Sequence, residues 1–530
     1  MNAQVIQESC PPTSTVEEEH LRTDDHWYDS ETNDKQQPPS PDRSSLALYI
    51  TIPCIPWDVK SLSLSSSQYG DMVYCWWRNR ERKWIETEEE SEIGKGLKFQ
   101  EMLEGLRQDL GRVPEHRTGS NTRYEIADAG LSAFSVFYMQ SPSFLAHQRD
   151  MQRKKGQNNA QGLFGVERIP SDGQIRNLLD PVEPGALYRR FWEIYHHLDE
   201  GGHLEKYRGI AGTRLISLDG SQYFSSQEIH CPNCRVSVRD EEAYYSHMVM
   251  MAVVCAPEQE HVICLDPEFI TPQDGHEKQD CEQQASKRWV ERNAERFDPW
   301  SMTILADDLH CHQPFCELLL KHELHFVLTC KPESHEALYE ELALLERVDG
   351  AISTKVVRKW NGCYHERWVY RWAEQLPLRG DLKALMVNWC ELTITNEETG
   401  EQIYHCGWAT DYTLDEELVV EAVASGRSRW KVENEGFNVL KNQGYNFEHN
   451  YGHGQQHLSM VLLTLLMLAF LFHSVLGLSC SMYQTVRQEL GPRRTFFNDL
   501  RALTRYLYFS SWHQLLTFMY QRLDLAPEPG

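Results

Sequence analysis

The chain has 530 residues, of which 41% are apolar, and a formal net charge of −26 at pH 7. That length accommodates about three or four domains, and the acidic balance excludes a generally sticky nucleic-acid binder while leaving room for local basic clusters. Fifteen scattered cysteines and the lack of a secretory-type apolar N-terminus predict reduced thiols and a cytoplasmic protein.

Residues 1–45 are rich in Glu, Asp, Ser, Thr and Pro, the composition of a disordered acidic tail. Residues 46–90 alternate apolar and polar, as in a few strands or an irregular module. Residues 97–145 read helical. The polar stretch 147–161 carries Arg149, Arg153, Lys154 and Lys155 close together; it is either a solvated loop or a linker that contacts phosphates. A turn at Pro170-Ser171-Asp172 precedes a helix from about Gln174, with Ser171 or Asp172 as its N-cap. Another helix spans about 186–198.

From residue 214 the pattern changes to strands. RLISLDGSQYF (214–224) reads as a buried strand that ends at Asp219-Gly220. Residues 246–257 and 261–270 read as a hairpin, and 280–297 as a helix. SMTILADDLHC (301–311) is a second strand closed by acids, Asp307-Asp308. A helix (313–322) and a strand (325–331) follow. This order predicts a mixed α/β sheet with helices on its faces, in which the first and fourth strands lie side by side and unite Asp219 with Asp307.

Residues 350–412 read as four strands, a β-rich insertion within 336–415. Its tryptophans (Trp360, Trp368, Trp372, Trp389, Trp408) fit a core role. RSRWKVENEGFNVLK (427–441) then predicts a helix with an acid on its apolar side. At 100° per residue, Trp430, Glu433, Phe437, Leu440 and Lys441 share one side, so Glu433 is preferred over Glu435; the plain alternative is a salt bridge from Glu433 to Arg429. Residues 458–478 are apolar and long enough to cross a bilayer, but nothing else in the chain is membranous, and a buried core helix is favoured. A C-terminal helical pair within 481–530 carries Arg493, Arg494, Arg501 and Arg505.

Asp219, Asp307 and Glu433 are the candidate catalytic and metal-binding residues. Asp307 directly follows the apolar strand, whereas Asp308 is expected to cap the next turn. Three carboxylates suit Mg²⁺ or Mn²⁺ and phosphoryl transfer. Cys231-Pro-Asn-Cys234 has the spacing of half a zinc site, which His230, His247 or Cys255 could complete; the alternative is a turn with two free thiols. Asp274, Asp280 and Glu282 are accounted for by capping of the following helix. His449, His453 and His457 read as a polar loop near the active centre.

The order of Asp219, Asp307 and RWxxE in a helix resembles the DDE transposases of bacterial insertion sequences, among them those with a ribonuclease H-like core and a β-insertion before the glutamate. LFGVERIPSDGQIRNLLD, the run at 273–282 and ENEGFNVLKNQGYNFEHNYGHG resemble family segments, so the likeness spans roughly 160–475. It implies a core in two parts (206–335 and 416–480) and metal-dependent cutting at the ends of the element. The freed 3′-hydroxyls would be joined to target DNA by a homodimer acting at the nucleoid. It also implies DNA contacts from Arg429, Lys431 and Lys441 and recognition of the ends within 46–205. The chain departs from the family pattern at Gly426, where related enzymes often carry tyrosine, and at Lys441, eight rather than seven residues past the glutamate. A nuclease without strand transfer and an inactive, domesticated DNA-binding protein are the alternative expectations.

Overall fold

A computed structural model describes residues 96–118, 122–152, 158–239, 241–272 and 281–525. The expected tail (1–45), the module at 46–90, and Arg153, Lys154, Lys155, Asp274 and Asp280 lie outside these residues.

The first described residues, 96–200, are largely helical: α1 (Phe99–Gly111), α2 (Ile126–Tyr138), α3 (Phe144–Met151), α4 (Asn159–Phe164), α5 (Asp172–Leu179) and α6 (Tyr188–Glu200). Ser171 stands at the N-cap of α5, which begins two residues earlier than expected. A buried ion pair, Arg190 to Asp109 at 2.7 Å, joins α6 to α1.

The sheet begins with β1 (Arg214–Ser226), followed by β2 (Arg235–Arg239), β3 (Glu242–Cys255), β4 (Ile263–Cys264) and β5 (Glu268–Ile270). Helix α7 (Glu282–Asn293), β6 (Met302–Ala306), α8 (Gln313–Lys321), β7 (His325–Thr329) and α9 (Glu336–Leu345) come next. The insertion supplies β8 (Ser353–Trp360), β9 (His365–Pro377), β10 (Met386–Asn396) and β11 (Gln402–Thr410). All belong to one mixed sheet, in the order β2-β3-β1-β6-β7-β11-β10-β9-β8, with β4 and β5 paired to β3. The pairs β1–β6 and β6–β7 are parallel, and β11 closes antiparallel on β7. The four insertion strands therefore extend the central sheet through β7–β11.

Two expectations change here. β1 does not end at Asp219: it pairs with β3 as far as Ser226, so Asp219 lies mid-strand. The expected second hairpin strand is two short pieces, β4 and β5, interrupted at Asp266-Pro267. Proline lacks the N–H a ladder needs, and the Asp266 carboxylate is turned inward to accept from Trp192, Arg292 and Asn293.

After the sheet come α10 (Leu418–Arg427), a short helical turn (Ser428–Trp430), a π-helical turn (Val432–Phe437), α11 (Asn438–Asn442), α12 (Leu458–Ser479), α13 (Ser481–Leu490), α14 (Arg493–Tyr506) and α15 (Trp512–Arg522). Among the described residues α12 alone is long and apolar enough to cross a membrane, and 89% of its apolar window is buried inside the protein. It packs on α2. Its one ionisable side chain, His473, bridges the Tyr138 carbonyl and the Tyr483 hydroxyl, both at 3.0 Å, and stacks on the Tyr138 ring. Such all-round burial is what a helix without a polar face requires inside a protein core.

Candidate active site

Parallel pairing sets Ser217 opposite Leu305. Two residues further along the chain from this pair stand Asp219, still within β1, and Asp307, the first residue after β6. β6 stops at Ala306 while β1 continues against β3. Beyond that point β1 loses its parallel neighbour, and Asp219 and Asp307 are close enough there for the charge of Asp307 to act on Asp219.

The glutamate segment crosses this edge. Ser217 donates its hydroxyl to the Arg429 carbonyl at 3.0 Å, and the Cys255 thiol donates to the Ser428 carbonyl. Gly436 lies against Met251, the β3 partner of Asp219: a Cβ there would come within 2.6 Å of the methionine methyl. The segment is not a plain α-helix. The Asn438 N–H reaches back to the Glu433 carbonyl, five residues away, which makes the turn π-helical. The uniform 100° phase therefore fails here, and Trp430, expected on the inner side, is 49% exposed. Glu433 accepts from Arg429 at 3.3 Å. The plain alternative to a catalytic role is thus an actual contact, and it lies within the acid cluster, because both charges act on Asp219.

A fourth acid joins the site. Glu282 opens α7 and takes the backbone N–H of Gly220, the residue after Asp219. The sequence explained it by capping, because an acid in the first turn of a helix is ordinarily just that. Only the long-range approach of α7 to β1 distinguishes it. The glycine in Asp219-Gly220 was the available signal, since a side chain at Gly220 would meet the Glu282 carboxyl group at 2.5 Å.

These neighbours set the charge states. Burial, followed by the charges of Glu282 and Glu433, pushes Asp219 up to about 7, against the opposing pull of Arg429. Burial also raises Glu282, eased by His310 and aggravated by Asp307. Asp307 is also penalised by burial, but the hydrogen bond and charge of His310 prevail and hold it below the ordinary carboxylate range. His310 Nδ1 lies 2.8 Å from Asp307, and its Nε2 lies 2.9 Å from Ser286 Oγ on α7. Both Ser286 and His310 are fully buried, so this chain orients Asp307 and presents no nucleophile.

The turn after β6 is capped by Asp307 and not, as expected, by Asp308. Asp307 itself caps the turn at 308–310 by accepting from the Leu309 N–H at 3.1 Å. Asp308 points away to the 331–335 loop, where it accepts from the Lys331 N–H at 2.7 Å and from Ser334.

The residues proposed to contact DNA have varied surroundings. Arg429 is buried, bound to Glu433 and stacked over Trp430. Lys431 donates to the Gln259 carbonyl at 2.6 Å. Lys441 pairs with the exposed Glu448 at 3.2 Å. A π turn holds one residue more than an α turn, so the eight-residue spacing from Glu433 to Lys441 returns to about the face that seven residues reach in a plain α-helix. Gly426 lies against the Trp408 indole, where a Cβ would come within 2.5 Å of Nε1.

The described residues contain two sets of soft metal donors. Cys231, Cys234, His247 and His453 have ligand atoms all within 4.8 Å of one another, as have Cys311, Cys330 and His335. The carboxylates form no such tight group among the described residues. Their oxygen atoms are the donor type that a hard divalent cation takes, and the charges of Glu282, Glu433 and Asp307 all act on Asp219. The chain matches no protein-family model and no curated protein.

Proposed function

We propose that the chain is a DNA transposase of the DDE type, with a ribonuclease H-like core, which cuts at the ends of its own element and joins the freed 3′-hydroxyls to target DNA. The observation that carries this reading is the set of three acids in one electrostatic neighbourhood: Asp219 on β1, Asp307 directly after the parallel strand β6, and Glu433 on the segment bonded to β1. Asp219, Asp307 and Glu433 would hold Mg²⁺ or Mn²⁺, which when bound activates the attacking oxygen and stabilises the leaving one. Glu282 adds a fourth carboxylate.

The protein groups divide the work around that site. His310 keeps Asp307 ionised and fixes its orientation. Arg429 steadies Glu433 and partly offsets the crowding of negative charge at Asp219. In this reading Arg429 is a positioning residue, and Lys441, partly exposed and paired with Glu448, remains the candidate phosphate contact. The reaction requires two ends to be held together, so a homodimer is the expected working form.

The test is cleavage of supercoiled plasmid carrying the element's ends with Mg²⁺ or Mn²⁺, comparing wild type with Glu433→Ala and Glu435→Ala. Loss of cutting in Glu433→Ala alone supports the reading. Loss in Glu435→Ala alone would transfer the role to the neighbouring acid. Activity in both variants would dismiss the acid site. Cutting without joined 3′ ends would instead identify a nuclease.

A further inference from the structure

We propose that Cys231, Cys234, His247 and His453 bind a structural Zn²⁺ that clasps the loop after the glutamate segment to the strands that carry Asp219. The four side chains come from three places in the chain. Cys231 and Cys234 lie in the turn from β1 to β2, His247 is on β3, and His453 is on the loop between α11 and α12. The two sulfurs are 3.9 Å apart. His247 Nε2 is 3.5 Å from each of them, and His453 Nε2 is 3.5 Å from Cys234.

These separations are the edges of a metal tetrahedron. With Zn–S of about 2.3 Å and Zn–N of about 2.0–2.1 Å, tetrahedral angles place two sulfurs about 3.8 Å apart and sulfur and nitrogen about 3.6 Å apart. A disulfide would need the sulfurs at about 2.05 Å. Two thiolates and two imidazoles select zinc over Mg²⁺ or Ca²⁺, and four protein ligands leave no open position for substrate. The site is therefore structural.

Its surroundings are built. Both cysteines and His247 are buried. Tyr223 stacks on His247, and Phe224 packs against the rings of both histidines. The histidine loop is held from the other side by Asp180, whose carboxylate accepts the backbone N–H groups of Gln455, Gln456 and Leu458 at 3.0–3.2 Å. Asn233, between the cysteines, donates to the Gln456 carbonyl. Asp219 lies upstream on β1 and Glu433 upstream of the histidine loop, so the ion would join the two chain segments that bear those acids. The zinc site does not depend on the activity proposed for them.

The experiment is metal analysis of the full-length protein purified without chelators. One zinc per chain is expected. Cys231→Ser/Cys234→Ser should lose it at least tenfold, whereas Cys311→Ser/Cys330→Ser, in the other thiol group, should retain it. Co²⁺ exchanged into the wild type should give the intense visible bands of tetrahedral coordination. If the first double variant is insoluble, native alkylation of the wild type decides: Cys231 and Cys234 should resist modification and become reactive after 1,10-phenanthroline treatment. The proposal is overturned by wild type that lacks zinc and takes up no Co²⁺, by zinc retained in Cys231→Ser/Cys234→Ser, or by a disulfide between the two cysteines.

Discussion

Gly220 lets Glu282 reach the backbone beside Asp219, because any side chain there would occupy the position of the Glu282 carboxyl group. The negative charge that results is the largest acidic influence on Asp219. Glu282→Gln removes it while preserving the shape. The ionised form of Asp219 then becomes easier to reach, so its pKa falls from about 7 toward the ordinary carboxylate range. Mn²⁺ affinity, titrated calorimetrically from pH 5.5 to 8, should rise with pH in the wild type and have its midpoint moved to lower pH in the variant. An unmoved midpoint would show that Glu282 does not govern Asp219.

The same shift affects stability. The folded pKa of Asp219 lies above its unfolded value, so the native state holds the proton more tightly. Its stabilising contribution is complete below pH 3.8 and is lost as pH rises toward 7. Asp219→Asn should therefore leave stability nearly unchanged at pH 4 and raise it by about 2–4 kcal/mol at pH 8, at about 1.4 kcal/mol per pKa unit. Urea unfolding without divalent ions at the two pH values measures this. Equal effects at both would mean that the acid cluster stores no repulsion.

The sequence made the two acid-bearing strands legible because short apolar runs followed by acids are local signals, although β1 runs on past Asp219 to Ser226. Leu215 to Leu218 and Met302 to Ala306 are such runs, and their adjacency follows from the order of elements. Glu282 was hidden because its local setting, the first turn of a helix, already explains an acid. The exposure of Trp430 was hidden because the π turn breaks the period on which the helix-face argument relied. His453 reaches Cys234 across 219 positions of sequence, and no spacing rule connects them. The continuity of the sheet through β7 and β11 was hidden in the same way: each strand was legible, their pairing was not.

Two buried histidines act on stability with the opposite sign. Burial lowers both His147 and His473 to about 3. His147 lies between the hydroxyls of Ser135 and Ser141, at 2.8 and 2.9 Å, in the same helical core. The unfolded chain takes up these protons near pH 6.5 and the native state does not, so the contribution is complete above pH 6.5 and is lost as pH falls toward 3. Between pH 7.5 and 5 each histidine should cost about 2 kcal/mol, at about 1.4 kcal/mol per unit. His473→Gln should shrink the difference in unfolding free energy between these two pH values by that amount, whatever its packing cost at pH 7.5. An unchanged difference would place the acid sensitivity elsewhere.

Gly426 connects the insertion to the glutamate segment. It is near the end of α10, directly before Ser428–Trp430, and faces Trp408 on β11, which is 1% exposed. A Cβ at Gly426 would meet three indole atoms at 2.5–2.7 Å. Trp408 is paired to Cys390 on one side and Thr329 on the other, so it has little room to retreat. A tyrosine at position 426 cannot fit while Trp408 occupies this space. Gly426→Ala should therefore destabilise by about 1–3 kcal/mol, the usual cost of overpacking. On the proposed function it should also reduce cleavage, because α10 leads into Arg429 and Glu433. Gly173→Ala is the matched control in α5: nothing lies within 4 Å of a Cβ there, and the exchange should stabilise by about 0.4–1 kcal/mol. If the clash with Trp408 is the cause, Trp408→Phe should recover part of the loss in the double variant, read by urea unfolding and by cleavage rate. A neutral Gly426→Ala, or a loss that Trp408→Phe does not reduce, would show that the insertion and the glutamate segment are not coupled through this contact.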